Sequence, residues 1–192
     1  MNVVVPTGNF GNILAAYFAK QMGLPIQKLI IASNENKVLV DFFDTGAYDR
    51  NRDFILTTSP SMDILVSSNL ERLLYLMADE STEAVQTFMD QLKEIGRYEV
   101  TEAMKEKAKD FYADYATEEE VAAQIAALYH ADGYVIDPHT AVAAHVANTY
   151  VAETDDHTPI IIASTASPYK FPQAVLTAID PEFSDDSMEE ML

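Results

Sequence analysis

Short apolar runs alternate with segments of helical periodicity along much of the chain. Four runs predict buried strands: Asn2–Pro6, Lys28–Ala32, Gly133–Ile136 and Pro159–Ser164. Helical patterns cover segments between or beside them: about Asn12–Met22, Glu35–Phe43, Met62–Ala78 and Asp137 to about Val151. Because the runs are continuous rather than alternating, they are typical of a parallel sheet covered on both faces. The sequence therefore predicts an α/β fold, an open parallel sheet of about four strands flanked by helices.

Residues 81–130 differ in character from the rest, with few β-branched residues and many Ala, Glu, Lys and Met. Three hydroxyl residues are placed to cap helices: Ser81, Thr101 and Thr117. Phe111 falls on the inward face of the second of these helices, and Glu120 completes a capping-box pattern in the third. We therefore predict a helical insertion at about 81–130 within a domain that covers residues 1–179.

The charge and composition exclude several classes of function. The chain has 31 Asp and Glu against 12 Lys and Arg, whereas nucleic-acid binding needs a basic face. Cysteine is absent, which excludes disulfides, thiolate metal sites and a cysteine nucleophile. No apolar run approaches the ~20 residues that span a bilayer, and the first residues lack the pattern of a signal peptide. We expect a cytoplasmic protein without nucleic-acid or membrane partners.

Part of the acidic excess lies in a tail, Asp180–Leu192, which has six acidic residues and no basic residue. The composition predicts either a disordered end or the start of a helix.

The turn after the first predicted strand is the strongest candidate for binding chemistry. It contains Gly8 and Gly11, and glycines allow close approach of the backbone to a ligand and backbone angles that other residues avoid. The following helix directs free N–H groups and the positive end of its dipole at the turn, which suits a phosphate. The spacing is neither G-x-G-x-x-G nor a Walker loop. An ordinary strand–helix turn is the alternative interpretation.

The same turn, Gly8-Asn9-Phe10-Gly11-Asn12, resembles the cofactor-phosphate loop of threonine synthase. This is a pyridoxal 5'-phosphate (PLP) enzyme of the tryptophan-synthase-β structural class, also called fold type II. Further segments resemble the family in the same order: Ala32–Asn36, Thr58–Arg72, Ile136–Val142 and Ala163–Phe171. The resemblance covers most of residues 3–179, and it implies that the chain is the carboxyl-terminal portion of such an enzyme, within its large PLP-binding domain.

The resemblance implies a role for each residue of the turn. The backbone N–H groups of Gly8, Asn9, Phe10 and Gly11 and the side chain of Asn12 would surround the PLP phosphate. Some relatives have Asp at the last position, so the role of Asn12 is the least specific.

The resemblance also assigns a hydroxyl to the pyridine nitrogen of PLP, and Thr165 is the residue that matches. A hydroxyl favours a neutral ring, a weaker electron sink suited to chemistry at the β and γ carbons. Ser164 and Ser167 are alternatives for this contact, in which case Thr165 caps the next turn.

Two other groups of residues have competing interpretations. His139 beside Asp137 suggests acid–base chemistry, but Asp137 and Pro138 also form a favourable helix start that explains the motif without catalysis. Arg50 and Arg52 suit either a phosphorylated substrate or surface ion pairs. The histidines lack metal-ligand spacing, and we predict no metal site.

The family's Schiff-base lysine lies upstream of the phosphate loop in a Phe-Lys-Asp context, and this chain has no such residue. Its catalytic lysine is therefore expected in a missing amino-terminal half. The resemblance implies a parent lyase that converts O-phospho-L-homoserine and water to L-threonine and phosphate. The 192-residue chain alone is expected to be inactive and to associate with the missing half or with itself. A non-catalytic phosphate-binding α/β module is the alternative.

Overall fold

The computed structural model describes residues 1–183, so most of the predicted acidic tail lies outside the described residues. The strands are β1 (Asn2–Pro6), β2 (Leu29–Ser33), β3 (Ala47–Asp49), β4 (Arg97–Glu99), β5 (Phe111–Tyr115) and β6 (Ile160–Ile162). The helices are α1 (Gly11–Gln21), α2 (Val38–Thr45), α3 (Leu70–Met77), α4 (Thr82–Glu94), α5 (Glu102–Lys107), α6 (Glu118–Asp132), α7 (Pro138–Thr154) and α8 (Pro172–Ile179). Short 3₁₀ helices cover Pro60–Met62 and Pro168–Lys170.

The main sheet has four parallel strands in the order β5-β2-β1-β6, which confirms the predicted fold class. Strand β1 pairs with β2 from Val3 opposite Leu29, and with β6 from Asn2 opposite Ile160. Strands β3 and β4 form a separate antiparallel pair. Because β1 and β6 are neighbours and parallel, the loops that follow them meet at the same edge of the sheet.

Both faces of the central strands β1 and β2 are covered, and this explains why these strands are continuous apolar runs. Every residue of β2 is buried. Leu29 and Ile31 belong to one core cluster, with side chains of α1, α2 and α3, whereas Ile30 belongs to the other, with side chains of α6 and α7. This alternation follows from the two-residue period of a strand.

The predicted strand at Gly133–Ile136 is wrong, because this segment pairs with no strand in the described part of the chain. Tyr134 is 62% exposed and Val135 is 37% exposed, so only Ile136 is buried like a strand residue. The fourth strand of the sheet is β5 instead. The prediction assigned Phe111 to a helix, but that helix ends at Lys107 and Phe111 pairs with Leu29 of β2.

The segment 81–130 is accordingly not helical throughout, since it contains β4 and β5 between its helices. The predicted helix over Met62–Ala78 is also too long, because α3 begins only at Leu70. The predicted caps are correct: Ser81 caps α4 and Thr101 caps α5. Thr117 and Glu120 form the capping box of α6. No helix within residues 1–183 combines the length and apolar character needed to cross a membrane.

Candidate functional site

A cleft of about 360 Å³ lies where the loops after β1 and β6 meet. All six residues predicted to bind the cofactor line it: Gly8, Asn9, Phe10, Gly11, Asn12 and Thr165. The lining of the cleft also includes Ser61, Met62, Asn69 and His139. The structure therefore brings the predicted residues together at the carboxyl edge of a parallel sheet, where ligands of such sheets bind. Their individual roles stay predictions.

The turn presents a run of backbone donors to this cleft. From Gly8 to Ile13, no backbone N–H donates to another group within the described residues. The last three of these N–H groups, starting at Gly11, belong to the first turn of α1 and therefore have no intrahelical partner. Unpaired backbone donors together with the positive end of a helix dipole favour an anion, phosphate above all.

The strained residue of the turn is Phe10, and not a glycine as the sequence suggested. Phe10 is the N-cap of α1 with φ 63° and ψ 4°, a left-handed conformation that is unfavourable for a residue with a large side chain. Its ring is 1% exposed and stacks on Phe43 at 5.8 Å between centroids. The core therefore holds Phe10 in this conformation, and its N–H is one of the unpartnered donors of the turn.

The glycines serve close packing instead. Neither Gly8 nor Gly11 has a positive φ. A Cβ at Gly8 would lie 2.7 Å from the carbonyl oxygen of Ser61 and 3.1 Å from the Cα of Met62, so only glycine fits against this backbone. A Cβ at Gly11 would lie 3.2 Å from Nδ2 of Asn69, a side chain with more freedom to move.

Thr165 faces the turn across the cleft, three residues beyond the end of β6. Of the alternatives, Ser164 does not line the cleft, and its Oγ lies 3.1 Å from Oγ1 of Thr140 in α7. Ser167 does not line the cleft either and is the N-cap of the 3₁₀ helix Pro168–Lys170. The geometry favours Thr165 among the three hydroxyls.

His139 borders the cleft, but both of its ring nitrogens are occupied. Its Nδ1 lies 2.9 Å from Oδ1 of Asp137, and its Nε2 accepts a hydrogen bond from the backbone N–H of Ser61 at 3.2 Å. This network assigns the proton to Nδ1. His139 is 2% exposed. The ring therefore ties Ser61 to the start of α7, and neither nitrogen is available for proton transfer.

Asp137 caps the 17-residue helix α7, as the sequence predicted, and accepts hydrogen bonds from the backbone N–H groups of His139 and Thr140. Burial by itself raises the pKa of the Asp137 carboxyl, but hydrogen bonds from His139 and Thr140 outweigh burial and hold its pKa below the ordinary value. A carboxylate whose pKa is lowered in the folded state stabilises the fold above its unfolded pKa. This contribution is lost as the pH falls through the lower folded value.

Replacing Asp137 with alanine is expected to lower the free energy of unfolding by about 2–4 kcal/mol at pH 7, because the helix cap and the partner of His139 are lost together. The difference from the wild type should shrink at pH 3, below the ordinary pKa of an Asp carboxyl, because the unfolded chain then takes up the proton and the ionised carboxyl stabilises the fold less. Urea unfolding at the two pH values measures both effects. Asp90→Ala, on the exposed face of α4, is the control and should change stability by less than about 0.5 kcal/mol. An equal loss at both pH values would contradict the role of the ionised carboxyl.

A buried polar network holds the wall that carries Ser61. Oδ1 of Asp63 accepts hydrogen bonds from Nδ2 of Asn34 (2.7 Å), Nδ2 of Asn36 (3.2 Å) and Oγ1 of Thr57 (2.7 Å). Asn34 and Asn36 follow β2, so the network fixes the loop of Asp63 to the sheet. Buried polar groups that are satisfied in this way specify one arrangement of the chain.

Sequence reasoning did not assign four residues of the cleft wall: Ser61, Met62, Asn69 and Ala166. All four lie in the segments that resemble threonine synthase, and this was the only signal that could have found them. Arg50 and Arg52 lie apart from the cleft. Arg52 pairs with Asp41 at 2.7 Å, and Arg50 donates to the carbonyl of Lys93, so surface contacts explain both.

Comparison with known proteins identifies the family. Residues 140–192 match the sequence profile described as "Threonine synthase, C-terminal". The crystal structure of threonine synthase from yeast matches the chain with a TM-score of 0.87 and 41% identity, over 99% of this chain and 40% of the yeast chain. The chain belongs to the threonine synthase family. A threonine synthase from Brucella melitensis, whose X-ray structure is described as PLP bound, matches with a TM-score of 0.87 and 40% identity, over 100% of this chain and 41% of that one.

The threonine synthase-like 1 protein of Homo sapiens is 48% identical over 181 residues, which are 93% of this chain and 24% of the human protein. The chain thus spans 24% to 41% of the length of these threonine synthase relatives. It carries eight lysines, and none of them lines the cleft.

Proposed function

We propose that the chain provides the phosphate and pyridine contacts of a PLP-dependent threonine synthase. The whole enzyme would be a lyase that converts O-phospho-L-homoserine and water to L-threonine and phosphate. One observation carries the proposal: the run of unpartnered N–H groups from Gly8 to Ile13 faces Thr165 across one cleft. Family membership and the PLP-bound relative support it.

The residues present fit PLP. The phosphate dianion matches the backbone donors at the start of α1, where no side-chain cation is needed. When bound, PLP supplies an electron sink for chemistry on an amino acid. Here Thr165 would orient the ring by contacting its nitrogen, and a hydroxyl leaves that nitrogen unprotonated. His139, through Ser61, would keep the wall against Gly8 in place.

Thr165→Val is expected to weaken PLP binding by about fivefold and to leave the affinity for inorganic phosphate unchanged, because only PLP carries the ring. Isothermal titration calorimetry with each ligand measures the two affinities. Thr149→Val is the matched control, since its hydroxyl bonds the carbonyl of His145 within α7. Equal effects of Thr165→Val on both ligands would contradict the proposed ring contact.

Family membership also leads us to propose O-phospho-L-homoserine as the substrate and the remainder of the enzyme as the protein partner of this chain. The lysine that carries PLP would come from the part of the enzyme that this chain does not match, because no lysine of the chain lines the cleft. That observation also keeps the second candidate open, a non-catalytic phosphate-binding module. A module of this kind would bind phosphate and PLP equally, whereas a synthase would prefer PLP through Thr165.

A further inference from the structure

The segment Ser67–Asn69 holds two backbone carbonyls of the turn Gly8–Asn12, which is called the phosphate turn below. Oγ of Ser67 donates to the carbonyl of Gly8 at 2.8 Å. The carbonyl of Asn9 accepts two hydrogen bonds from Asn69, one from its backbone N–H at 3.2 Å and one from its Nδ2 at 2.8 Å. Two consecutive carbonyls of the turn are thus held by one short segment.

These anchored carbonyls fix the directions of the donors. In a trans peptide the C=O and the next N–H point in opposite directions, and no peptide bond of the described residues is cis. Holding the Gly8 carbonyl therefore orients the N–H of Asn9, and holding the Asn9 carbonyl orients the N–H of Phe10. Neither N–H has a partner in the described residues, so both stay available to a ligand. Hydrogen bonds to a carbonyl also polarise its peptide and strengthen the attached donor.

Arg72 determines how the Asn69 side chain is oriented. Its Nη1 donates to Oδ1 of Asn69, which leaves Nδ2 to face Asn9. Arg72 forms no ion pair with any residue from 1 to 183, although the chain is strongly acidic. Its cationic group is therefore engaged with Asn69 and not with a carboxylate.

We propose that Asn69, oriented by Arg72, is a positioning residue of the phosphate turn and acts through the Asn9–Phe10 peptide. The inference rests on the proposed function, since it names the residues that prepare its anion site. Asn69 lines the cleft without being assigned a contact with the anion. Its effect is to keep the strained peptide before Phe10 in the orientation that binds.

The test compares Asn69→Ala with Asn51→Ala in the 192-residue protein, with inorganic phosphate as the probe. Asn51 is a matched control because its Nδ2 also donates to a backbone carbonyl, that of Ile95 at 2.9 Å, outside the cleft. Asn69→Ala should weaken phosphate binding by about tenfold. Asn51→Ala should leave it unchanged.

A ligand-free measurement separates this inference from the proposed function. Residual dipolar couplings report the directions of the Asn9 and Phe10 N–H bonds, and Asn69→Ala should change both while Asn51→Ala changes neither. Arg72→Gln should shift the same couplings and weaken phosphate binding by about threefold, and Arg97→Gln, at an exposed position of β4, should do neither.

Unchanged couplings and unchanged phosphate affinity in Asn69→Ala would overturn the proposal. Couplings and affinities that are the same in Arg72→Gln and Arg97→Gln would overturn the proposed role of Arg72 in orienting Asn69. If the wild-type protein binds no phosphate, the proposed function fails, and the couplings alone decide the positioning role.

Discussion

Replacing Gly8 with alanine is expected to abolish phosphate binding by the chain. The added Cβ would lie 2.7 Å from the carbonyl oxygen of Ser61, a backbone atom in the 3₁₀ helix Pro60–Met62. That helix is held by the hydrogen bond from Ser61 to His139, so the turn, and not the wall, has to move. Overpacking of this kind costs about 1–3 kcal/mol and displaces the donors. Calorimetric titration with inorganic phosphate measures the loss.

Gly133→Ala is the matched control for the loss of stability. Gly133 has φ +67° after α6, and a Cβ there would meet nothing within 4 Å. Alanine at this position costs about 1 kcal/mol through backbone strain alone and should leave phosphate binding intact. A Gly8→Ala protein that binds phosphate as tightly as the wild type would show that the close approach to Ser61 is unimportant for the site.

The second large effect concerns turnover. The 192-residue protein supplied with PLP is expected to release no phosphate from O-phospho-L-homoserine above the rate without protein. The reason is that none of its eight lysines lines the cleft, so no residue of this chain can hold the cofactor aldehyde there. A coupled phosphate assay measures the rate, and yeast threonine synthase is the positive control for the assay conditions.

Release of phosphate above background would contradict this expectation only if it arises in the cleft. The Gly8→Ala protein decides this point, because it removes the phosphate site without changing any lysine. Activity that disappears in Gly8→Ala would mean that a lysine of the chain reaches the cofactor. Activity that persists would point to a reaction elsewhere on the protein.

The first strand–turn–helix unit could be predicted from the sequence because its signals are local. The run Asn2–Pro6, the glycines after it and the helical pattern that follows each act over a few residues. The same holds for the caps at Ser81 and Asp137, where one side chain meets the next backbone N–H groups. Local hydrogen bonds leave a pattern that can be recognised without the fold.

Strand β5 could not be predicted in this way, because it is defined by pairing with β2, about eighty residues away. Phe111 fits the inward face of a helix as well as a strand, and short apolar segments do not separate the two periods. The segment Gly133–Ile136 shows the reverse case. It has the composition of a strand, but the structure gives it no partner within residues 1–183.

The cleft residues outside the turn show that a functional site, like strand β5, depends on contacts between distant parts of the sequence. Asn69 lies 60 residues after Asn9 and His139 lies farther still, and apart from the resemblance of their segments to threonine synthase nothing in their local sequence indicates that they line the cleft. The positive φ of Phe10 could not be predicted from the sequence either, because a positive φ in a turn is normally expected at glycine. Only the tertiary structure identifies the residue that bears the strain.

A phosphate titration followed by NMR tests the central claim most directly. In the wild-type protein, inorganic phosphate should shift the amide signals of Gly8 to Ile13, and the effect should weaken with added salt, as for a partly exposed anion site. PLP should shift the same signals and that of Thr165 as well. Shifts confined to other regions, with the Gly8–Ile13 amides unchanged at saturating phosphate, would contradict the assignment of this turn as the phosphate site.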